Sequence, residues 1–348
     1  MKKSMRILVA VLLTLTLIIG TAGCGQKAEP QTPAPDAAPG ASQEAAAPAG
    51  TQLLTIGTST VGGAWYPMGG ALANVISSYV PNAKASATPS AATIENLTLV
   101  RSGKMEIGMA TADIPYQQYH GLAGLEKDES LRTLTMFSNN IICILVKDGS
   151  PVHSIEDLKG KKLGVGVQGS SAYTIAVAIL KAHGIDIEKD VDQYQGGISQ
   201  QTEALKDGNI DAFMMTFPQG GAAPGLIELD TTEKIRFIDM DMEKLKEVNA
   251  ESPCYTIGQI PAGYVDSLKE PVNTLVIGCV FMVKDTMDEE LVYNITKSMF
   301  EHKDELDAIH AAWKDTNEKT AAVNCPFPLH PGAERYYKEA GFDISILP

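Results

Sequence analysis

Two short turns, about a hundred residues apart, hold the residue types that could grip an anion. In GTSTVGGAWY, Gly62 and Gly63 follow an apolar run and precede a helical pattern that carries Tyr66; in GVQGSSAY, Gly169, Ser170 and Ser171 stand in the same setting. Glycine lets the backbone turn tightly and approach a bound group closely. A helix opening after such a turn aims free N–H groups and its positive dipole end at a carboxylate or phosphate. The serines would add hydroxyls to that cradle, or would serve as plain N-caps. Neither turn has the spacing GxGxxG or GxxxxGKS, so a nucleotide phosphate is not the first expectation.

Further polar candidates stand near predicted helix starts and strand ends. Ser90, Thr93 and Asn96 open a helix across PSAATIENLTL, as ligand donors or as caps, with Ala92, Ile94, Leu97 and Val100 as its buried stripe. Asp113 follows the strand at 107–110, a cleft position in an α/β sheet. Phe217 lies in the loop TFPQGG after a second such strand. Groups for turnover are missing as local motifs: there is no GxSxG, no HExxH and no CxxC, and His302 and His310 are eight apart without a carboxylate cluster. No catalytic residue, metal or cofactor is expected from these motifs, and a site assembled in space from distant residues stays open.

The elements that must position these residues come twice. LLTIGTSTVGG and LGVGVQGSS are each an apolar strand, a turn and a helix start, and SGKMEIGM rhymes with DGNIDAFM, each a helix stop followed by a short strand. Two α/β units in the same order predict two similar lobes, each a mixed sheet flanked by helices, with their loop–helix junctions facing across a cleft. The long apolar runs 134–146 and 272–283 are the expected crossovers. They divide the chain into lobe 1 (51–140 and 279–348) and lobe 2 (141–278). Beyond the second crossover helices are expected, with Leu291, Ile295, Met299, Leu306 and Ile309 near helical spacing over Asp288 to His310.

Ahead of the lobes, Lys2, Lys3 and Arg6 precede the apolar run 7–19 and a small-residue end, the pattern of a secretory signal over 1–23. Residues 24–50 are rich in Ala and Pro, too poor in apolar anchors to offset the entropy of ordering, and read as an extended tether. Removal of 1–23 takes away three cationic residues and moves the formal charge from −14 to −17. Such an acidic body disfavours nucleic acid and polybasic membrane contact, while local donors still decide the ligand's charge. Cys143 and Cys279 sit in apolar strand patterns as buried thiols, and Cys254 with Cys325 is a possible bridge.

Taken in order, GTSTVGGAWYPMGGALANVI, SAATIENL, SGKMEIGMATADIPYQQYHG, SIEDLKGKKLGVGVQGSS, DGNIDAFM, QIPAGYV and PLHPGAERYYKEAG resemble the TAXI family of extracytoplasmic solute-binding proteins that serve TRAP transporters, over 53–342. The resemblance implies a type II periplasmic-binding-protein fold, monomeric, closing on a small organic anion such as glutamate, glutamine or a dicarboxylate and handing it to an ion-gradient-driven TRAP membrane permease. It maps the family's site onto Gly62, Gly63, Tyr66, Ser90, Thr93, Asn96, Asp113, Gly169, Ser170 and Ser171. Ala172 replaces the threonine of the family's GSGT turn, and Phe217 makes the usual GxP loop bulkier and more apolar. Ala22, Gly23 and Cys24 resemble the end of a lipobox, which implies a lipid anchor to the bacterial membrane through Cys24. A sensory lipoprotein signalling to a receptor, or an enzyme on the same fold, are the alternative expectations.

Overall fold

The computed structural model describes residues 50–348 apart from Gly62 and Gly169. The expected leader, the tether, Cys24 and those two glycines lie outside the described residues. The first unit is β1 (Gln52–Gly57), α1 (Trp65–Tyr79), β2 (Ala83–Thr88), α2 (Thr93–Arg101) and β3 (Ile107–Thr111), followed by α3 (Asp113–His120) and the long β4 (Leu131–Lys147). The order then recurs as β5 (Lys162–Gly164), α4 (Ser171–Ala182), β6 (Asp192–Tyr194), α5 (Ile198–Lys206) and β7 (Ala212–Pro218). After it come α6 (Pro224–Glu233), β8 (Ile235–Phe237), α7 (Met242–Glu251), β9 (Tyr255–Ile260) and the long β10 (Val272–Lys284). The helices α8 (Glu289–Glu301), α9 (Lys303–Ile309) and α10 (Pro331–Ala340) close the chain.

The strands form one path, β2-β1-β3-β10-β4-β7-β5-β6, with β8 on β4 and β9 on β10. β1 runs parallel to β2 and β3, and β5 to β6 and β7, the pairing that helical crossovers produce. The next strand in each unit is antiparallel and borrowed from a crossover: β10 lies beside β3, and β4 beside β7. β4 and β10 also pair with each other, from Leu131 opposite Lys284 to Ile141 opposite Val276, with register shifts at Cys279/Val280 and Phe281/Met282. One apolar core draws on residues from Leu54 to Phe137 and again from Cys279 to Tyr337; two others draw only on residues between Ile141 and Ile277. The result is the two-lobed mixed α/β fold that the resemblance implies, joined through two paired strands.

The internal repeat extends to single atoms. Before β3, Glu106 Oε2 accepts the N–H of Thr55 on β1 at 2.7 Å; before β7, Asp211 Oδ2 accepts the N–H of Lys162 on β5 at 2.8 Å. Gly103 and Gly208 end α2 and α5 with φ of +68° and +74°, and each is followed by an N–H that reaches back to the helix, Lys104 to Leu99 and Asn209 to Ala204. A buried amide on the first turn of each helix then pins the loop beside it: Asn96 Nδ2 donates to the carbonyls of Thr58 and Met109 at 2.8 Å, and Gln201 Nε2 to that of Gly196 at 2.9 Å. Room for those amides comes from Gly57 and Gly164, where an added Cβ would stand 2.3 Å from Asn96 Oδ1 and 2.1 Å from Gln201 Oε1.

Three expectations are corrected. The helical spacing over 288–310 is shared by two helices, α8 and α9, separated at His302 with ψ of 34° and φ of −119°, and Ile309, on the expected apolar stripe, is left exposed. Ile94 is exposed as well, because α2 starts at Thr93 and turns Leu97 and Val100 to the core. Cys254 and Cys325 are free thiols in separate apolar clusters; Cys143 and Cys279 are buried free thiols. No helix among the described residues is long and apolar enough to cross a membrane.

The glycine pockets make a stability prediction. Gly57→Ala and Gly164→Ala should each lower unfolding free energy by roughly 1–3 kcal/mol through overpacking against a buried amide. Gly70→Ala on α1, where an added Cβ meets nothing within 4 Å, should gain about 0.5–1 kcal/mol. Urea titrations of the three variants check this, and equal effects at the three sites would remove the amide-pocket account.

Candidate functional site

Each strand–turn–helix device leaves a helix N-terminus at the carboxyl end of the sheet, and the two lobes turn these ends toward one another. A cavity of about 240 Å³ lies between them. From lobe 1 it is lined by Ser59, Thr60 and residues 63–65 at the start of α1, by residues 91–93 at the start of α2, and by Thr111 at the end of β3. From lobe 2 it is lined by residues 170–172 at the start of α4, 196–198 at the start of α5, 215–218 on β7, and Ala223 before α6. Asn140 on β4 and Val167 complete the wall. Four helix starts, two from each lobe, thus converge on one space, each with first-turn N–H groups that its own helix cannot satisfy. Ala92 enters α2 with φ of +70° and ψ of −136°, a region costly for a residue with a Cβ and found at sites whose geometry the surroundings impose.

The sequence-predicted residues divide into two groups. Gly63, Thr93, Ser170, Ser171 and Phe217 line the cavity; Tyr66, Ser90, Asn96 and Asp113 do not. α1 begins at Trp65, so Trp65 faces the cavity and stands edge-on to Phe137 at 5.6 Å, while Tyr66 is turned away and half-exposed. Ser90 Oγ donates to the Thr58 carbonyl at 3.0 Å and accepts the Ala92 N–H at 3.0 Å, a loop brace. Asn96 is the buried clamp described above. Ser170 caps α4, accepting the Tyr173 N–H at 3.3 Å.

Asp113 is wholly buried and forms a latch between the lobes. Its Oδ1 accepts from Thr111 Oγ1 at 2.8 Å and from Ser171 Oγ at 3.2 Å, and its Oδ2 accepts from the Tyr255 hydroxyl at 3.2 Å. Asp113 and Thr111 belong to lobe 1, Ser171 and Tyr255 to lobe 2. Thr111 and Ser171 also touch each other, and Thr93 Oγ1 accepts the Thr111 N–H at 3.1 Å. A hydroxyl has one proton to give. Those of Thr111 and Ser171 are used inside this cluster, so toward the cavity these two residues present lone pairs. The donors left for an anion include the helix-start N–H groups, the hydroxyls of Thr60, Ser170 and Thr216, and the amides of Asn140 and Gln200.

Burial raises the Asp113 carboxyl above its ordinary range, opposed by hydrogen bonds from Thr111, the Ile114 N–H, Tyr255 and Ser171. Burial, and then the charge of Asp113, raise the neighbouring Cys254 thiol and Tyr255 phenol, so both stay protonated. No Asp, Glu, His, Lys, Arg or Cys is among the described residues lining the cavity, and no group of His, Cys, Asp and Glu among the described residues could hold a metal ion. Two contributors left no strong mark in the sequence. Gln201 is the counterpart of Asn96, and Asn140 is a polar interruption within the apolar run 134–146.

The chain matches the NMT1-like family over residues 56–341. Among solved structures it is similar to the substrate-binding protein of an amino acid ABC transporter, at 13% identity over 75% of this chain and 99% of that one, with a TM-score of 0.46. It is also similar to the periplasmic aliphatic sulphonate binding protein SsuA from Escherichia coli (16% identity, 82% and 83%, TM-score 0.43). A third similar structure is a putative L-cystine ABC transporter from Listeria monocytogenes (16% identity, 77% and 98%, TM-score 0.45).

The buried latch carboxyl sets a pH dependence. Because its pKa is raised on folding above the ordinary 3.8, its contribution is fully present below that value and is lost as pH rises through the folded-state pKa. Asp113→Asn cannot ionise, so the stability of wild type relative to this variant should fall between pH 4 and pH 8. Thermal melts across that range give the difference, and a rise with pH would mean that the four donors outweigh burial.

Proposed function

The chain belongs to the NMT1-like family, and we propose that it is an extracytoplasmic solute-binding protein of the TAXI type, capturing a small organic anion between its lobes for an ion-gradient-driven TRAP permease. The observation that carries the reading is the convergence of four helix N-termini, from both lobes, on one cavity. Such ends hold an anion through backbone N–H groups and the helix dipole. A solute touching both lobes binds the closed arrangement better than an open one and so drives closure by its differential affinity. The Asp113 latch, with partners in both lobes, adds hydrogen bonds that exist only when the lobes meet. A cavity wall without an acid–base pair or an activated nucleophile favours capture over turnover.

The same reading places a lipid on Cys24 and uses residues 24–50 as a spacer between the membrane and the lobes, with the mature protein acting as a monomer. Glutamate, glutamine and dicarboxylates are the solutes that the TAXI resemblance brings forward.

The test is ligand-dependent stabilisation. A solute at a hundred times its Kd should raise stability by about 2.7 kcal/mol and be recovered unchanged from the complex. Melting curves against panels of amino acids, dicarboxylates and monocarboxylates, followed by chromatography of the released ligand, read both quantities. Ser170→Asp keeps a good N-cap but puts a carboxylate in the cavity wall, and should weaken any anion at least about tenfold. Full affinity in that variant, or chemical conversion of the ligand, would count against the proposal.

A further inference from the structure

The cavity wall has a chemical signature narrower than "organic anion". Every side chain in it is uncharged among the described residues, and much of it is apolar: Trp65, Val167, Ile198, Met215, Phe217 and Ala223. The helix starts offer N–H groups from both lobes, a setting that suits a carboxylate and repels an ammonium. An α-ammonium would find no carboxylate in the wall. A second ligand carboxylate would lose its hydration without a cation to replace it, a cost of several kcal/mol against about 0.3–2 kcal/mol for a helix end.

Of the polar side chains in the wall away from the helix ends, one is buried with an unpaired atom among the described residues. Asn140 lies on β4 at the crossover between the lobes, opposite Pro218 on β7 and Ile277 on β10. It is only 3% exposed, lines the cavity, and its Oδ1 has no hydrogen-bond partner among the described residues. A buried amide left in that state costs roughly 1–3 kcal/mol, which a ligand group able to pair with it would recover. The unpaired atom is an acceptor, so the group that pairs with it is a donor, a neutral hydroxyl. A space of about 240 Å³ holds on the order of ten non-hydrogen atoms, given that about 150 Å³ accepts a benzene ring.

We propose that the solute is a monocarboxylate with an apolar body and a hydroxyl substituent, that its carboxylate is held by the helix starts, and that Asn140, through its unpaired Oδ1, is the residue that selects the hydroxyl. This rests on the solute-capture reading, which it narrows by disfavouring amino acids and dicarboxylates.

Calorimetry on the full chain with four probes tests it. α-Hydroxyisocaproate has the carboxylate, the apolar body and the hydroxyl; isocaproate lacks the hydroxyl; α-ketoglutarate and glutamate carry the extra charges. α-Hydroxyisocaproate should bind at least about tenfold more tightly than α-ketoglutarate or glutamate, and about fivefold or more over isocaproate. Asn140→Leu should abolish the preference over isocaproate while leaving isocaproate affinity within about twofold. If that variant does not fold, the ratio of the two probes on the wild-type protein decides. Tighter binding of α-ketoglutarate or glutamate overturns the solute class and leaves solute capture standing. An undiminished preference in folded Asn140→Leu overturns the role of Asn140. Absence of heat and of thermal stabilisation with all four probes overturns the class, and the absence of any stabilising solute in the wider panel takes the capture reading with it.

Discussion

The pairing of β4 with β10 is the constraint on which the rest of the molecule depends. Backbone N–H and C=O groups buried in a sheet must be paired, and here neither lobe completes its sheet from its own consecutive strands. β3 needs β10 and β7 needs β4, and those two strands meet each other over the length of the crossover. The hydrogen bonds that continue from β3 and β7 repeat the arrangement, with the Ala112 N–H on the Gly278 carbonyl and the Gln219 N–H on the Asn139 carbonyl, both at 2.8 Å. Because each lobe is built on the same ladder from opposite sides, the carboxyl ends of both sheets face one space, and their helix starts follow.

The repeat within the chain is one of chemistry more than of letters. Glu106 and Asp211 do the same work at the starts of β3 and β7, and Asn96 and Gln201 do the same work beside β1 and β5. Gly57 and Gly164 leave the same hole for an amide. The lobes differ where they meet. Lobe 1 brings a carboxylate, Asp113, and lobe 2 brings hydroxyls, Ser171 and Tyr255, so contact between them is complementary instead of like against like. This leaves a cavity walled by uncharged side chains among the described residues beside the buried carboxyl latch, with Thr111 and Ser171 as the shared wall.

Much of the architecture is legible in the sequence because its signals are local. Apolar run, glycine turn and helical periodicity occur within some twenty residues at 53–76 and again at 163–180, and the order of the two units implies two lobes. The site is less legible because its members are sorted by direction. A helix advances by roughly 100° per residue, so a start at Trp65 gives the cavity Trp65 and withholds Tyr66. Asn96 has the polar type of a ligand residue, yet its position on α2 turns it toward Thr58 and Met109. Asp113 and Ser171 are 58 residues apart, and nothing in either segment alone announces their contact. Asn140 escapes notice for the opposite reason: in an apolar strand it reads as a blemish, and only the crossover gives it a place in the wall.

The division of the cores has a consequence for how the chain is assembled. Lobe 2's cores use an uninterrupted stretch, 141–277, and can pack as soon as that stretch is free. Lobe 1 begins sooner but waits for Cys279–Val283 and the C-terminal helices before its apolar interior is closed. During synthesis, or passage through a narrow channel from the N-terminus, the first-made half is therefore the last to lock, and the final seventy or so residues act as its keystone.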